Sequence, residues 1–380
     1  MAVTAPVNSE LTPPVTPPAN LPRLKFTAAD EFMKSLKRRV DLYFARTKLS
    51  RRDCPQMYIK TGVILCWAAA CYIGLLFFAP NAWVAVPLAI VFGLAAAAIG
   101  FNIQHDASHQ AYSKYAWMNK LGALTLELLG GSSYIWARKH NAVHHSYTNV
   151  TGHDDDINLG FLGRVSPHQH WLFYHRFQHF YLWFLYGFLA IKWHLIDDFV
   201  NVIKGRLGPH RFARPKGWDL AVFIGGKALF YSLAFVIPML LHPAWYVIGL
   251  YVLVSFVEGI TLSVVFQLAH CVEEAEFPMP IDDQGHMEAS FAVHQVATTV
   301  DFSTHNPLVT WYTGGLNHQI EHHLFPHICH IHYPALAKMV ERTCRKFGLR
   351  YGVNNSLFGA IASHYRWLRQ MGTKNPQFAM

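Results

Sequence analysis

Charged residues are scarce in this chain. Asp, Glu, Lys and Arg make up 14% of its 380 residues, while hydrophobic residues make up 52%. Soluble domains carry about 25% charged residues, so the scarcity argues against an ordinary soluble protein. The length suffices for one large domain or two small ones.

Cysteine is also sparse, and its spacing is uninformative. No two cysteines form a C-x-x-C pair, so we expect neither an iron–sulfur cluster nor a disulfide framework. The absence of zinc-finger spacing and of a basic-aromatic repeat argues against nucleic-acid binding.

Residues 1–22 are rich in proline and lack the basic start and apolar core of a signal peptide. They are predicted to form a disordered tail.

Four apolar runs account for the composition. They span residues 57–79, 82–103, 219–241 and 244–268, and a membrane helix needs about 20 such residues. The alternative of buried helices in a large soluble enzyme is disfavoured, because the runs form two close pairs. We therefore predict an all-α integral membrane protein with four transmembrane helices in two hairpins and a helical cap on the cytoplasmic side.

The distribution of basic residues gives the orientation. If both pairs are hairpins, segments 1–56, 104–218 and 269–380 lie on one membrane face. They hold 10, 12 and 8 of the 32 Lys and Arg residues, and such an excess marks the cytoplasmic side. The net charge of +9 would then face anionic lipid headgroups or an acidic partner.

The domain boundaries follow from these segments. Residues 23–56 are expected to form an interfacial amphipathic segment, because basic and apolar residues alternate within residues 33–52. Residues 57–350 are expected to form the membrane domain with its cap, and residues 351–380 a C-terminal tail.

Histidine is absent from residues 1–104 and then abundant. Of 24 histidines, twelve lie within residues 104–218 and ten within 269–332. Three clusters and one single residue follow the predicted membrane exits: "HDASH" with His105 and His109, "HNAVHH" with His140, His144 and His145, "NHQIEHH" with His318, His322 and His323, and His270.

The spacing within the clusters predicts metal binding. A separation of four places two imidazoles about 6 Å apart on one helix face, and adjacent histidines diverge by about 100° and can reach two ions. Eight or more histidines exceed the needs of one ion and fit a two-metal site. The remaining histidines, such as His168, His175, His179, His330 and His332, are interpreted as ordinary solvated residues.

The three clusters resemble the histidine boxes of membrane fatty acid desaturases, over nearly all of residues 55–350. The "QIEHH" form is similar to the front-end branch of that family, which inserts double bonds between an existing one and the carboxyl end. The resemblance implies two irons, O₂ as co-substrate, an acyl substrate and an external ferredoxin or cytochrome b5-type donor. The implied iron ligands are His105, His109, His140, His144, His145, His270, His322 and His323.

Two features depart from the front-end pattern. The chain has no His-Pro-Gly-Gly haem motif, and its first 55 residues are too few for the fused cytochrome b5 domain of many eukaryotic members. His318 stands where an aromatic residue is common in that branch. His318 is therefore either a ligand or a support for Gln319, which replaces a histidine and is expected to be an outer-shell or weak ligand.

Metal-bound imidazoles need acceptors that orient their rings. The nearby candidates are Asp106, Asp154, Asp156 and Glu321, although Asp154–Asp156 could equally form a solvated turn. Tyr134 and Trp136 are candidates for lining an acyl channel, with ordinary interfacial aromatics as the alternative.

Two charges lie within the apolar runs. Lys227 and Glu258 each stand about fifteen residues from the turn at His242 and Pro243, hence at equal depth if the helices are antiparallel. An unpaired charge at the bilayer centre costs roughly 3 kcal/mol or more. We therefore expect an ion pair between them, with lone snorkelling of Lys227 as the alternative.

The favoured function is an O₂-dependent acyl-lipid or acyl-coenzyme A desaturase. A hydroxylase or ketolase with the same histidine boxes is the alternative, and a metal transporter is disfavoured because transporters place polar ligands inside the membrane runs. The chain is expected in a bacterial inner membrane, with its active site on the cytoplasmic face. The double-bond position and the acyl carrier stay open.

Overall fold

The computed structural model describes residues 22–28, 31–79 and 81–374. Most of the predicted tail, residues 1–21, lies outside the described residues. The helices are, in chain order, α1 Glu31–Thr47, α2 Pro55–Phe77, α3 Ala82–Ile99, α4 His105–Ser108, α5 Ala116–Ala123, α6 Thr125–Leu128, α7 Ser133–Trp136, α8 His145–Tyr147, α9 Gln178–Tyr186, α10 Leu189–Lys192, α11 Asp198–Lys204, α12 Trp218–Tyr231, α13 Ile237–Met239, α14 Ala244–His270, α15 Phe291–Thr298, α16 Pro307–Tyr312, α17 Gln319–Leu324, α18 Tyr333–Lys346 and α19 Leu357–Met371.

Shorter elements connect these helices. Four segments are π-helical and two are 3₁₀-helical: Gly100–Gln104, Ala137–His144, Trp193–Asp197 and Ser232–Val236, then Phe173–Phe177 and His330–His332. Within the described ranges, six short strands form three two-stranded sheets: β1 Lys25–Thr27, β2 Arg206–Leu207, β3 His210–Arg211, β4 His286–Ser290, β5 Asp301–Phe302 and β6 Val353–Asn354. Strand β1 pairs with β4 in parallel, β2 with β3 antiparallel, and β5 with β6 in parallel.

Four continuous helices among the described residues are long and apolar enough to cross a membrane, as predicted. They span Pro55–Phe77, Ala82–Ser108, Trp218–Met239 and Ala244–His270. The fold is thus that of an all-α integral membrane protein. At 1.5 Å per residue, the two helices of 27 residues are about 40 Å long and exceed the ~30 Å apolar core. Their C-terminal turns therefore project beyond it.

The two hairpin turns meet at one end of the helices. Nε2 of His242 lies 2.8 Å from the carbonyl oxygen of Leu76, and the Tyr246 hydroxyl donates to the carbonyl of Ala79 at 3.3 Å. The histidine clusters lie at the other end, where the second and fourth membrane helices end. This arrangement agrees with the predicted hairpin topology.

Helix α3 forms the centre of the membrane bundle, in contact with α2 and α14. Small residues allow the close approach of α14: a Cβ on Gly93 would lie 2.7 Å from the carbonyl oxygen of Val254. A second glycine allows the loop before the third histidine cluster to approach the π-helical segment Gly100–Gln104. Gly314 has a φ of +61°, and a Cβ there would lie 2.3 Å from the carbonyl oxygen of Phe101.

One face of the segment predicted to be interfacial packs against protein. Within α1, the buried side chains are those of Phe32, Leu36, Val40 and Phe44. They pack against buried residues of α18, including Leu336. The amphipathic pattern therefore reflects burial of one face of α1 against the cap, with the charged face outward.

The predicted C-terminal tail also contains an ordered element. Helix α19 buries Trp367 and Leu368, and the Trp367 indole donates to the carbonyl of Val165 at 2.8 Å. His364 Nδ1 lies 2.6 Å from the carbonyl oxygen of Cys271. The segment named the C-terminal tail therefore carries a helix that packs on the cap through single side chains, and no long apolar run marks it in the sequence.

Candidate metal centre

The eight histidines predicted as ligands converge on one place. His105 and His109 lie at the end of the second membrane helix, and His270 ends α14. The second cluster lies on the π-helical segment Ala137–His144 and the start of α8, and the third lies on α17. All eight side chains are buried. The four-helix framework thus delivers every cluster to the same interior site.

The first group contains His105, His109, His140 and His322, whose candidate ligand nitrogens lie within 4.8 Å of one another. Nε2 of His105 is 3.2 Å from Nε2 of His140. Two nitrogens each about 2.1 Å from one ion and at right angles to one another would be about 3.0 Å apart. The spacing therefore suits a shared cation.

The second group contains His144, His270 and His323, and a third contains His145, His322 and His323. His322 is common to the first and third groups, and His323 to the second and third. Nε2 of His322 lies 3.0 Å from Nε2 of His145. The groups are therefore contiguous: His322 belongs to the first group and His323 to the second, while the third group contains both.

Several of these rings have no partner for a buried nitrogen. Nε2 of His109, Nε2 of His144 and Nδ1 of His270 are buried without a hydrogen-bond partner. Leaving a buried polar atom unpaired costs about 1–3 kcal/mol. A bound cation would satisfy such atoms, so the residues present fit a metal centre.

The imidazoles are held in the form that metal binding requires. Burial lowers the pKa of His109, His145, His322 and His323 well below the usual value, and neighbouring imidazoles lower it further. Metal ligation requires the neutral ring. These four rings are therefore neutral and able to bind a cation.

Carboxylates orient the second cluster. Nδ1 of His144 lies 2.9 Å from Oδ2 of Asp154. Burial alone would lower the pKa of His144, but the Asp154 carboxylate outweighs it and the net shift is upward. Nδ1 of His140 lies 3.5 Å from Oδ2 of Asp156, which also pairs with Lys139 at 3.1 Å. The aspartates therefore face the centre and do not form a solvated turn.

Other supporting residues were not predicted. Nδ1 of His323 lies 2.8 Å from Oε1 of Gln295, and Nδ1 of His322 lies 3.2 Å from the Tyr333 hydroxyl. The amide of Asn149 donates to the backbone carbonyl of His270 at 2.9 Å. None of these residues belongs to a histidine cluster, so the spacing gave no signal for them.

Gln319 lies where the resemblance placed it, beside the candidate ligands. Its Nε2 is 2.8 Å from Nε2 of His270 and 3.4 Å from Nε2 of His323. Its Oε1 is buried without a partner. The amide is thus within reach of the second group.

His318 and Glu321 form a different cluster. Nδ1 of His318 lies 3.8 Å from both Oδ2 of Asp301 and Oε2 of Glu321. The Tyr351 hydroxyl donates to both carboxylates. Burial raises the pKa of Glu321 well above its usual value, and the Asp301 carboxylate raises it further. Glu321 therefore lies beside His318 of the third cluster, and its role in orienting a metal-bound imidazole stays a prediction.

Asp106, a candidate acceptor for an imidazole, contacts a histidine outside the eight candidate ligands. Its Oδ2 lies 2.8 Å from Nδ1 of His330, whose Nε2 is 3.0 Å from Nζ of Lys60. Sequence reasoning had treated His330 as solvated, yet His175, His179, His330 and His332 are all buried. Single histidines in the cap serve packing and hydrogen bonding, which spacing does not reveal.

The two aromatic candidates for an acyl channel differ. Trp136 stacks on His140, with ring centroids 4.5 Å apart, and on Trp193 at 5.5 Å. Tyr134 instead donates its hydroxyl to the carbonyl of Ala213 at 2.6 Å and lies under the Arg138 guanidinium. Tyr134 therefore belongs to the surface of the cap, and only Trp136 touches the centre.

The predicted pair of Lys227 and Glu258 was wrong. Nζ of Lys227 lies 2.8 Å from Oδ2 of Asp198, and Oε2 of Glu258 lies 4.0 Å from Nε2 of His194. Equal depth is insufficient, because α14 packs along α3 while α12 packs against α6. The carboxylate that pairs with Lys227 is that of Asp198, at the start of α11 in the cap.

Known proteins resemble this chain closely. The family model for fatty acid desaturases matches residues 81–355. An sn-1 linoleoyl-lipid 6-desaturase of Arthrospira platensis is 41% identical over 357 residues, which are 93% of this chain and 96% of that protein. A protein of the same description from Synechocystis sp. is 39% identical over 92% and 98% of the two chains. An acyl-lipid (8-3)-desaturase of Physcomitrium patens is 36% identical over 90% and 72%.

Proposed function

This chain belongs to the fatty acid desaturase family and is a fatty acyl desaturase; we propose that it binds two iron ions and acts on an acyl chain attached to a lipid. The main support for the two irons is that two groups of buried histidines adjoin one another. One group contains His105, His109, His140 and His322, and the other contains His144, His270 and His323. Neutral imidazole is a good ligand for iron. His145 lies between the two groups.

Iron bound there would supply, with O₂, an oxidant able to break unactivated C–H bonds. The overall reaction takes one hydrogen from each of two adjacent methylenes, and two electrons and two protons from outside complete the reduction of O₂ to two waters. The protein's part is to hold the rings, exclude water and position the chain.

The residues around the centre fit these tasks. Asp154, Gln295 and Tyr333 each hold the far nitrogen of a candidate ligand ring, which fixes the orientation of the ring. Trp136 covers His140 and joins Trp193 in a stacked pair. These aromatic faces are an apolar surface against which a saturated chain packs without losing hydrogen bonds.

The substrate and regiochemistry are proposed from the relatives. Two similar proteins are described as sn-1 linoleoyl-lipid 6-desaturases, and Gln319 stands at the third histidine segment as in the front-end branch. We assign this chain to double-bond insertion at position 6, between an existing double bond and the carboxyl end, on an acyl chain esterified to a membrane lipid.

Location and electron supply complete the proposal. The excess of Lys and Arg in the segments around the centre supports a cytoplasmic position, and the two cyanobacterial-type relatives favour a bacterial inner membrane. The electrons come from a separate ferredoxin or cytochrome b5-type protein.

The test is expression in a desaturase-deficient host supplied with linoleate. Gas chromatography–mass spectrometry of fatty acid methyl esters should show a new double bond at position 6. Separation of the lipid classes should place it in glycerolipids before it appears in thioesters. A hydroxylated or keto product, or an unchanged profile beside abundant membrane-inserted protein, would contradict the proposal.

A further inference from the structure

The outer surface formed by α1 and α18 is strongly basic. Residues 31–52 and 333–350 hold thirteen Lys and Arg residues and three acidic ones. All three acids are already paired: Glu31 with Lys34 at 2.8 Å, Asp41 with Arg51 at 2.6 Å, and Glu341 with Arg345 at 2.9 Å. The remaining exposed basic residues have no carboxylate partner in the contacts of the described chain: Lys37, Arg38, Arg46, Lys48, Arg52, Lys338, Arg342, Lys346 and Arg350.

This surface is polar, not membrane-inserting. The apolar faces of α1 and α18 are packed against one another. Among the large hydrophobic side chains of residues 31–52 and 333–350, only Leu42 and Leu49 are exposed. A helix that lies in the membrane interface needs a free apolar face, and neither helix offers one. The surface therefore suits a water-soluble, acidic partner.

The same surface is connected to the metal centre through one side chain. Tyr333 begins α18, and its hydroxyl lies 3.2 Å from Nδ1 of His322. Lys338 lies five residues further on, which is about 7.5 Å along the helix axis. A protein bound over the first two turns of α18 would thus be one buried side chain away from a candidate iron ligand.

A cleft provides a second approach. It has a volume of about 860 Å³, and His145 and His323 are among its lining residues. Its charged lining residues, apart from histidine, are Lys37, Arg51 and Arg52, all basic. Positive charge therefore surrounds both routes from the surface to the two histidine groups.

We propose that the α1–α18 surface is the docking site for an acidic one-electron carrier protein, which delivers electrons to the centre beside Tyr333 and the cleft. This inference rests on the proposed function, because a desaturase needs two external electrons per turnover. Opposite charges steer and orient such an encounter more than they strengthen it. The contact is therefore expected to be weakened by salt.

The experiment uses the full chain in nanodiscs, an acidic [2Fe–2S] ferredoxin as donor and a lipid substrate. The variant Lys338→Glu with Arg342→Glu reverses two exposed charges one turn apart on α18. Its KM for ferredoxin should rise about tenfold at low salt with kcat retained, and its KM should respond less to salt than that of the wild type. Lys37→Glu with Arg38→Glu should act in the same direction.

A matched control carries the same charge change elsewhere: Lys204→Glu with Arg211→Glu, two exposed residues at the β2–β3 hairpin. Its KM for ferredoxin should stay within about twofold of wild type. An equal effect of both charge reversals, or none of either, would overturn the docking site. The docking site would also be overturned if the α18 variant lost binding to anionic vesicles but kept its KM for ferredoxin. The surface would then be a membrane contact.

A single-turnover assay separates this inference from the proposed function. Enzyme reduced by dithionite and then exposed to O₂ needs no protein donor. Wild type and the α18 variant should form equal product per iron in this assay. Product loss in the wild type would refute the proposed function itself, whereas product loss in the variant alone would show damage to the centre and overturn the docking role.

Discussion

Asp154 holds His144 through a 2.9 Å contact between Oδ2 and Nδ1 of the ring. The same Oδ2 accepts the backbone N–H of Asn149 at 3.0 Å, so the carboxylate is itself fixed. Nε2 of His144 is left without a hydrogen-bond partner, within the group that includes His270 and His323. A carboxylate behind an imidazole sets the tautomer and raises the basicity of the ligand nitrogen.

Replacement of Asp154 should therefore weaken the metal centre, because the His144 ring loses the carboxylate that orients it. Asp154→Ala is expected to lower turnover by about 10- to 100-fold and to reduce iron retention, which are typical losses for such supporting groups. Asp154→Asn keeps an oxygen acceptor for Nδ1 and should lie between this variant and wild type. Turnover and iron per chain are measured on the purified protein.

The neighbouring aspartate is the matched control. Asp155 lies 3.7 Å from Nζ of Lys139 and its side chain is 22% exposed. Asp155→Ala should keep turnover within about threefold of wild type, since Lys139 keeps its shorter contact with Asp156 at 3.1 Å and no candidate ligand ring loses its partner. Equal losses at positions 154 and 155 would mean that the loop, and not the imidazole contact, explains the effect.

Gln319 gives a second prediction about the centre. Gln319→Leu removes both polar atoms while keeping a similar size, and Nε2 of His270 loses its 2.8 Å neighbour. Turnover should fall by about tenfold or more, with weaker iron binding. Gln319→Glu retains an oxygen at the same place and should keep more iron than the leucine variant. Full activity of Gln319→Leu would show that the amide has no role beyond packing.

The sequence predicted the framework and the histidine groups for simple reasons. Apolar runs fix membrane helices, and a separation of four brings two rings together on one turn, as for His105 and His109, whose ring centroids are 4.8 Å apart. The π-helical form of Ala137–His144 was not predictable, because a π segment has no composition of its own. It still places the rings of His140 and His144 5.1 Å apart.

Supporting contacts between distant segments escaped prediction. Gln295 reaches His323 across 28 residues, and Asp106 reaches His330 across 224. Such pairs depend on how α15 and the loop after α17 pack, which local patterns do not encode. Proximity in sequence therefore did not reveal the partner of Asp106, whereas Asp154 contacts His144, a ring only ten residues away.

Metal content tests the ligand assignment directly. His322→Ala removes a residue common to two histidine groups, so iron should fall from two per chain to one or fewer, with loss of turnover and with the protein still in the membrane. His318→Ala is the matched control, since His318 lies 3.8 Å from Asp301 and Glu321. It should retain both irons. Iron is measured by mass spectrometry per folded chain after size-exclusion chromatography.

Two results would contradict this assignment. An active wild-type enzyme without iron would remove the metal from the mechanism altogether. Equal iron loss in the His318 and His322 variants would place His318 among the ligands, which is the alternative that its i, i+4 spacing from His322 first suggested.

The last prediction concerns the stability of the cap on the membrane helices. Lys227 is buried, and its Nζ donates to the carbonyl of Gly130 at 2.6 Å and pairs with Oδ2 of Asp198 at 2.8 Å. Removing one partner of a buried pair leaves the other charge uncompensated and costs about 3–5 kcal/mol. Lys227→Met and Asp198→Asn should each destabilise the protein strongly.

A double-mutant cycle isolates the pair. The free-energy cost of the double variant should be smaller than the sum of the single costs, with a coupling of about 1–3 kcal/mol, measured by reversible unfolding in mixed micelles. Lys227→Met combined with Glu258→Gln is the control cycle. It should be additive, because Oε2 of Glu258 lies 4.0 Å from Nε2 of His194 and not beside the ammonium. Strict additivity of the first cycle would refute the pair, and strong coupling in the second would restore the pairing of Lys227 with Glu258.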